Sequence, residues 1–575
     1  YVSSWDAMQE PYILGIPAHY RARYRPDRNM MRGTSKYNTA QTEWLFRQPM
    51  WHDSLSVAMT ALAIAVHEPT AASTRDDWIY LFTADPYAPA ATLANLSGTD
   101  LIYRDAGSAV YGRTGWTIST ASTDIMVALF GGWEENPNAS VADNNKAAGH
   151  WAISYGVDQL FGASGYYNAD TNLHYYPYIT ETGSHNCLLI GEQADSVIAT
   201  DCHDHEWETG NDGGQMIVAP SYEQCPACED EYIGPLYTGW LEREIVGEDL
   251  VWADVELSPG YADRADSVSR RWIWVRPDLL LIADAAWGLA ATDTVRALYH
   301  CIPRPVPDGT WTTVLGDSCC GGVLRSTDAT TATVTNGLGR ARLTPIGTLG
   351  ASESALRLVG GTNAGGTTNA GWQQEHDSSL AVTEPSTLLD SYSPGAPSYE
   401  FWLAGRNWIP GSEGTCATPT DALYNARNNV TSSGGKAHAA MDWRIEHEAI
   451  PSADTLVLAA AVHVGAAAGD ETLLGALPDS SGVIGVVCAT ATDTVLVVTR
   501  PPRFAGGDLE ITLPGSVQSA TLHVIAALDP GATYDLSLGG AVTDTVTADS
   551  SGSVIATGAS GRLELVLHQP RRRKT

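Results

Sequence analysis

Alternating apolar and polar residues predict β-strands along most of the chain beyond about residue 100. Residues 150–155 alternate in the manner of a strand with one buried face. Residues 268–284 predict two strands joined at Pro277 and Asp278, because proline fixes the backbone angle that the first corner of a turn requires. Further strands are expected at residues 442–448 and 455–464. The pattern is typical of a mainly β protein.

The first part of the chain shows helical spacing instead. Between residues 51 and 67, Leu55, Met59, Leu62 and Val66 recur on one helical face. Pro69 then ends the helix. We therefore expect a short N-terminal α part at residues 1–98.

The remaining chain divides into three predicted parts. Residues 99–500 are expected to form one large antiparallel β domain, since strand patterns continue throughout. Two consecutive prolines, Pro501 and Pro502, mark a boundary before a small C-terminal β-sandwich module at residues 501–570. Residues 571–575 form a basic tail.

The charge balance restricts the partners of the protein. The 575 residues carry a formal net charge of −33, which excludes nucleic acid because its phosphates would be repelled. A polyanionic polysaccharide would need a local basic groove, whereas the acidic surface by itself keeps an extracellular protein soluble.

No run of about eighteen apolar residues occurs, so no membrane span is predicted. The sequence starts at Tyr1 without a signal peptide, and we expect a mature, processed or truncated chain.

A segment rich in cysteine and histidine predicts a structural zinc site. Cys202, His203 and His205 precede the C-x-x-C pair Cys225 and Cys228 by about twenty residues, and thiolate and imidazole are the ligands of structural zinc. The alternative is a disulfide, either between Cys225 and Cys228 or from one of them to Cys202.

Oxygen ligands for calcium occur earlier in the chain. Asp143, Asn144 and Asn145 offer carboxylate and amide oxygens of the kind that calcium binds. The alternative interpretation of these three residues is a simple turn.

Four motifs resemble those of a known family. They are R-T-G-W at residues 113–116, N-K-A-A-G-H-W at 145–151, A-S-G-Y-Y at 163–167 and H-N-C-L-L-I at 185–190. In this order they resemble the entry turn, the H-x-D-x-G-x-F strand, the D-x-G-x-Y turn and the H-N motif of heparinase II/III-like polysaccharide lyases. Asn145 stands where that family has histidine, and Ala147 and Ala163 stand where it has aspartates.

This resemblance implies an architecture and a metal. In the family an (α/α) toroid precedes a large antiparallel β-sandwich, so residues 1–98 are expected to be the end of a toroid. The family holds zinc through a histidine at the position of Asn145, an aspartate and the histidine at the position of His185. Too few residues precede Asn145 for a whole toroid. We therefore expect its catalytic helices to be absent or to lie on a separate N-terminal polypeptide, with a homo-oligomer as another possible assembly.

The resemblance also implies an activity. Family members cleave uronate-containing polysaccharides by β-elimination, with tyrosine and histidine moving the protons. The sheet tyrosine of the family corresponds to Tyr175 or Tyr176, and His150 and His185 are expected in the same cleft. Strand-edge packing is the alternative role for the tyrosines, and a hydrogen-bonded sheet histidine is the alternative for His150.

Two further classes of function compete with an exported lyase that acts on acidic polysaccharide. The missing toroid and the replaced metal ligands favour a non-catalytic surface, fibre or assembly protein that reuses the sandwich, because a fold does not by itself fix a function. A glycan-binding protein that uses exposed tryptophans is the third hypothesis. All three are expected outside the cell, at the cell surface or in the periplasm.

Overall fold

The structure is a computed structural model, and it describes part of the chain. The described residues are 102–105, 109–117, 121–132, 147–163, 182–192, 213–215, 239–246, 250–261, 264–301, 305–317, 321–360, 443–468, 473–476, 484–489, 494–499, 509–511, 522–525, 531–538, 541–548, 554–557 and 563–567. Within these ranges the chain is almost entirely β-structure, which confirms the predicted mainly β fold class. The predicted helical part at residues 1–98 and the basic tail lie outside them.

The described ranges contain nineteen strands before residue 470. In chain order they are β1 (Ile102–Asp105), β2 (Ala109–Arg113), β3 (Ile125–Phe130), β4 (Trp151–Tyr155), β5 (Asp158–Phe161), β6 (Leu188–Glu192), β7 (Trp240–Val246), β8 (Leu250–Glu256), β9 (Ser267–Val275), β10 (Leu279–Trp287), β11 (Asp293–Cys301), β12 (Val306–Pro307), β13 (Thr312–Asp317), β14 (Gly321–Ser326), β15 (Ala332–Asn336), β16 (Gly339–Leu349), β17 (Ala351–Gly360), β18 (Trp443–Pro451) and β19 (Thr455–Ala466).

These strands form three antiparallel sheets. The first has the order β1-β2-β3-β4-β5, the second β12-β15-β16-β19-β10-β9-β8-β7, and the third β13-β14-β17-β18-β11-β6. The second and third sheets share one large core, as a β-sandwich does. The predicted strand pair around Pro277 and Asp278 is confirmed as β9 and β10 of the second sheet.

Two further sheets follow. Their strands are β20 (Leu473–Ala476), β21 (Ile484–Ala489), β22 (Thr494–Thr499), β23 (Leu509–Ile511), β24 (Leu522–Ile525), β25 (Thr533–Leu538), β26 (Ala541–Thr547), β27 (Val554–Thr557) and β28 (Leu563–Leu567). The five-stranded sheet has the order β20-β21-β22-β24-β27, and the four-stranded sheet β23-β28-β25-β26. Because β22 and β24 pair in parallel, the hydrogen bonding of this sheet extends across the two prolines after residue 500. The domain boundaries stay a prediction.

The central strands of the eight-stranded sheet, β8, β9, β10 and β19, are buried on both faces. On β9, Trp272 and Trp274 belong to the core of the sandwich, whereas Ile273 belongs to a second core on the opposite face. That second core also contains Val486 and Val497 from the sheet that begins at β20. Burial on both faces explains why β10 is apolar except at Asp284, and why β9 is apolar from Trp272 to Val275. Trp272 and Trp274 are therefore core residues rather than platforms for sugar.

No helix in the described ranges has the length and apolar character needed to cross a membrane.

Candidate functional site

Two of the predicted site residues lie in the described part of the chain, His150 and His185. The structure brings them together although 35 positions separate them in the sequence. Their rings meet edge to face, with centroids 5.3 Å apart and planes at 83°. The other predicted site residues lie outside the described residues, and these are Asn145, Tyr175, Tyr176, Cys202, His203, His205, Cys225 and Cys228.

A tight turn before β4 positions His150. Gly149 adopts a φ of 81°, a left-handed conformation that favours glycine, and its N–H donates to the carbonyl oxygen of Phe130 over 2.8 Å. The carbonyl of His150 accepts from the N–H of Phe130 over 2.8 Å. The imidazole stacks on the Phe130 ring with centroids 5.4 Å apart. The turn therefore fixes the imidazole at the end of the five-stranded sheet.

A short 3-10 turn at Thr182–Ser184 positions His185. The N–H of His185 donates to the carbonyl of Thr182 over 3.0 Å, and the N–H of Cys187 donates to the carbonyl of His185 over 2.8 Å. The next residues enter β6. His185 is 2% exposed and His150 is fully buried, so neither side chain faces solvent.

Asn186 links the two histidines to a third one, His300 on β11. Its backbone N–H donates to Nδ1 of His150 over 3.0 Å, and its side-chain amide donates to the carbonyl of Trp151 over 2.9 Å. Its Oδ1 accepts from the backbone N–H of His300 over 2.6 Å and lies 3.2 Å from Nδ1 of the same residue. One asparagine therefore connects β4, β6 and β11.

These bonds determine the protonation of His150. Burial, followed by the nearby His185, His300 and Arg270, lowers its pKa well below the usual 6.5, so the ring is neutral. Since Nδ1 accepts a hydrogen bond, the proton resides on Nε2. Nε2 has no hydrogen-bond partner among the described residues. His150 can therefore donate a hydrogen bond, but neither of its nitrogens is available to remove a proton.

Arg270 joins the segment that carries His150 to the segment that carries His185. Its Nη1 donates to the carbonyl of Gly149 over 2.6 Å and to the carbonyl of Asn186 over 2.5 Å. Its Nε and Nη2 form a bidentate ion pair with Asp284, at 2.5 and 2.9 Å. Burial lowers the pKa of Arg270, but Asp284 raises it more, and the net shift is upward.

Gln215 and Tyr261 complete the junction. Gln215 accepts from the N–H of Ala148 over 3.0 Å, donates back to the carbonyl of Ala148 over 2.7 Å, and its own N–H donates to the hydroxyl of Thr182 over 2.8 Å. The Tyr261 hydroxyl donates to the carbonyl of Leu188. Burial raises the pKa of Tyr261 well above its usual range, so it stays protonated. We call the set of His150, His185, Asn186, Gln215, Tyr261, Arg270, Asp284 and His300 the histidine junction.

Several residues of the junction were not predicted from the sequence, among them Asn186, Gln215, Arg270 and His300. A single sequence contains no local signal for them, because their partners are far away in the chain. Gln215, for example, bonds a residue 67 positions away. Asn186 does lie in the H-N motif, where its position beside His185 was visible.

The residues of the junction do not fit a zinc ion of the family type. Ala163, where the family has aspartate, is buried and has no ligand atom in its side chain. Across the described ranges, no group of three or more histidine, cysteine, aspartate or glutamate residues could hold a metal ion. A buried ion pair and hydrogen bonds hold the junction together instead.

The comparisons with known proteins give structural similarity alone. No protein-family model matches the chain. No curated protein matches it either.

Several solved structures are similar to this fold. Heparan sulfate lyase HepC from Pedobacter heparinus has a TM-score of 0.42 and 10% identity, over 83% of this chain and 51% of that one. A heparinase III gene product with methylated lysines has a TM-score of 0.42 and 9% identity, over 84% and 50%. A chondroitin AC lyase from Streptomyces coelicolor A3, in complex with chondroitin sulphate, has a TM-score of 0.27 and 11% identity, over 92% and 56%. The chain spans about half the length of the structures it matches.

Proposed function

We propose that the protein is an exported carbohydrate-active protein that cleaves a uronate-containing acidic polysaccharide by β-elimination. One observation carries the proposal: two segments that resemble lyase motifs, Gly149–His150 and His185–Asn186, meet in the histidine junction. Arg270 bonds the backbone of both segments at once. Such a support holds neighbouring side chains in fixed positions, as proton transfer requires.

The chemistry assigns different roles to the residues. A base removes the proton next to the uronate carboxyl group, the bond to the leaving oxygen breaks, a carbon–carbon double bond forms, and an acid protonates the leaving oxygen. Since His150 has no free lone pair, the base in this proposal is Tyr175 or Tyr176. These tyrosines lie in the segment between β5 and the turn that carries His185. His150 and His185 organise the cleft, with His150 as a neutral hydrogen-bond donor.

Unsaturated uronate ends absorb ultraviolet light, which provides the test. The full chain is incubated separately with hyaluronan, chondroitin sulfate, heparan sulfate and alginate, and the absorbance is followed. We expect a rise with one of these polymers, and a loss of about 100-fold or more in rate for Tyr175→Phe or Tyr176→Phe. Tyr534→Phe, which lies in the four-stranded sheet, serves as the control and should keep the rate. No absorbance change with any uronate polymer would refute the proposal.

We also propose that the chain works with a separate polypeptide that carries toroid helices. If the chain works with such a partner, or as a homo-oligomer, activity should depend on assembly. Activity that appears when the chain is purified from its native source with an attached polypeptide, and vanishes when the two are separated, supports the partner. Activity of the isolated monomer excludes it.

A non-catalytic surface, fibre or assembly protein is the second candidate function. The observation that favours it is burial: His150 is 0% and His185 2% exposed. Regular oligomers or filaments seen by light scattering and electron microscopy, together with an absence of lyase activity, would support this candidate. A glycan-binding protein would instead bind polysaccharide without cleaving it or assembling.

We also propose a structural zinc ion held by four ligands from among Cys202, His203, His205, Cys225 and Cys228. Thiolate and imidazole at this spacing support it. We expect elemental analysis to find one zinc ion per chain in the original protein and none in the Cys225→Ser variant. Protected thiols that become reactive only after reduction would indicate the alternative, a disulfide. Calcium at Asp143, Asn144 and Asn145 is tested in the same measurement.

A further inference from the structure

The outer face of the six-stranded sheet carries a concentrated set of charges. On β11 and β18, Ala297, Tyr299 and Ile445 face the sandwich core. Side chains alternate along a strand, so the residues between them lie on the opposite face. This outer face presents four arginines and three glutamates, namely Arg296, Arg325, Arg357, Arg444, Glu353, Glu446 and Glu448.

One half of this set is internal. Glu446 is fully buried and binds Arg357 and Arg444, each over 2.6 Å. Burial raises the pKa of Glu446, but the charges of Arg357 and Arg444 lower it further, to about 2. Arg357 and Arg444 are themselves buried. These three residues hold one another and offer nothing to a ligand.

The other half is partly exposed at its two arginines, around the buried Glu448. Glu448 accepts from Nε of Arg296 over 3.0 Å at one oxygen and from Nε of Arg325 over 3.1 Å at the other. The side chains of Arg296 and Arg325 are 24% and 27% exposed. Glu448 also lies 3.3 Å from Nη1 of Arg357, and it holds the two partly exposed guanidinium groups next to each other.

The terminal nitrogens of this pair are largely unused. Arg325 binds Glu353 through Nη2, and Arg296 makes no other hydrogen bond within the described part of the chain. A guanidinium whose Nε is already bound presents its two terminal amines in a fixed plane. Two such groups side by side match the planar oxygens of a carboxylate.

We propose that Arg296 and Arg325 form a binding site for the carboxylate groups of a uronate polymer. A chain with a net charge of −33 repels a polyanion, so binding requires local positive charge. Within the described residues, the two arginines and two glutamates of the exposed half balance. The excess of one positive charge comes from Arg357 and Arg444 beside Glu446 in the buried half of the same face. The inference takes its ligand class from the proposed function, but it concerns binding and does not depend on cleavage.

The test measures binding rather than turnover. Fluorescently labelled hyaluronan and alginate oligosaccharides, whose only charges are carboxylates, are titrated with the full chain and followed by fluorescence anisotropy at low salt. We expect saturable binding that weakens as salt is raised. The variant Arg296→Gln/Arg325→Gln should bind about 10-fold or more weakly. The variant Arg296→Lys/Arg325→Lys keeps the positive charge but loses the planar guanidinium groups. Its affinity should lie between those of the original protein and the Arg296→Gln/Arg325→Gln variant.

Arg340→Gln/Arg342→Gln is the matched control. Both residues lie on β16 of the other sheet, and the substitutions change the net charge by the same amount. This control should bind within about twofold of the original protein. Equal loss in the control and the test variant would overturn the site, as would unchanged binding in the test variant whose circular dichroism is native. Binding of dextran sulfate alone would overturn the carboxylate assignment. Binding lost in the test variant, without lyase activity in any sample, would retain the site and refute only the β-elimination.

Discussion

Asn186 and His150 are joined by a hydrogen bond from the backbone N–H of one to Nδ1 of the other, over 3.0 Å. This bond fixes the tautomer of a buried, neutral imidazole. The side chain of the same asparagine bonds two further strands. Asn186 therefore determines both the chemistry of His150 and the closure of the junction around it.

Asn186→Ala should destabilise the protein. The change leaves the carbonyl of Trp151 and the N–H of His300 buried without their partner. We expect the free energy of unfolding to fall by about 2–4 kcal/mol, measured by urea denaturation. Thr547→Ala removes one exposed hydrogen bond and should change it by less than about 0.5 kcal/mol. Equal effects of the two substitutions would contradict this role of Asn186.

Asp284→Asn should lower the free energy of unfolding more than Asp254→Asn does. Asp284 neutralises Arg270 inside the junction, where the two side chains are 2% and 0% exposed. Asp254 pairs with Arg271 on the opposite face of β9, where it is 10% exposed. Removing the buried partner leaves an uncompensated charge, and we expect a loss of about 3–5 kcal/mol for Asp284→Asn. A larger loss at Asp254, in parallel urea titrations, would reverse this ranking.

Stability should fall as the pH falls below 6.5, in part because of His447. Burial lowers the pKa of this residue from 6.5 to about 4. Between these values the unfolded chain binds a proton that the folded protein does not, so acid favours unfolding. His447→Gln should flatten the dependence of unfolding free energy on pH in this window.

At lower pH, the titration of Glu446 makes stability depend on pH. Its pKa is lowered from 4.5 to about 2, so its contribution is lost as the pH falls through that range. The slope of stability against pH below 4.5 should therefore survive His447→Gln. A pH profile that His447→Gln leaves unchanged above pH 4 would show that the folded residue titrates normally.

Gly112→Ala should destabilise the contact between the five-stranded sheet and the eight-stranded sheet. A Cβ at Gly112 would overlap the indole ring of Trp274, which is buried and cannot move freely. We expect a loss of about 1–3 kcal/mol in thermal or urea unfolding. Gly347 has no atom within 4 Å of the added carbon, so Gly347→Ala is the control. Comparable losses for the two would argue against steric overlap as the cause.

Strand patterns were predictable because they are local. The β9–β10 pair follows from the apolar runs on both sides of Pro277 and Asp278, and the strand at Trp151–Tyr155 follows from alternation. Local patterns do not fix the partner of each strand. That β10 lies between β9 and β19 depends on contacts nearly 180 residues apart.

The location of the junction was predictable in part, but its chemistry was not. The motifs placed His150 and His185 in one region, and the structure brings their rings together. The tautomer of His150 depends on a bond from Asn186, and the support from Arg270 spans 121 residues to Gly149. Burial and long-range bonds of this kind leave no mark in residue spacing.

The second core joins the C-terminal strands to the eight-stranded sheet. Trp252, Ile273 and Leu281 of the eight-stranded sheet pack there with Ile484 and Val486. Proteolytic cleavage before β20 would expose this apolar face of the eight-stranded sheet to solvent. The strands after residue 470 therefore cover an apolar face of the eight-stranded sheet, and a chain shortened before them should aggregate.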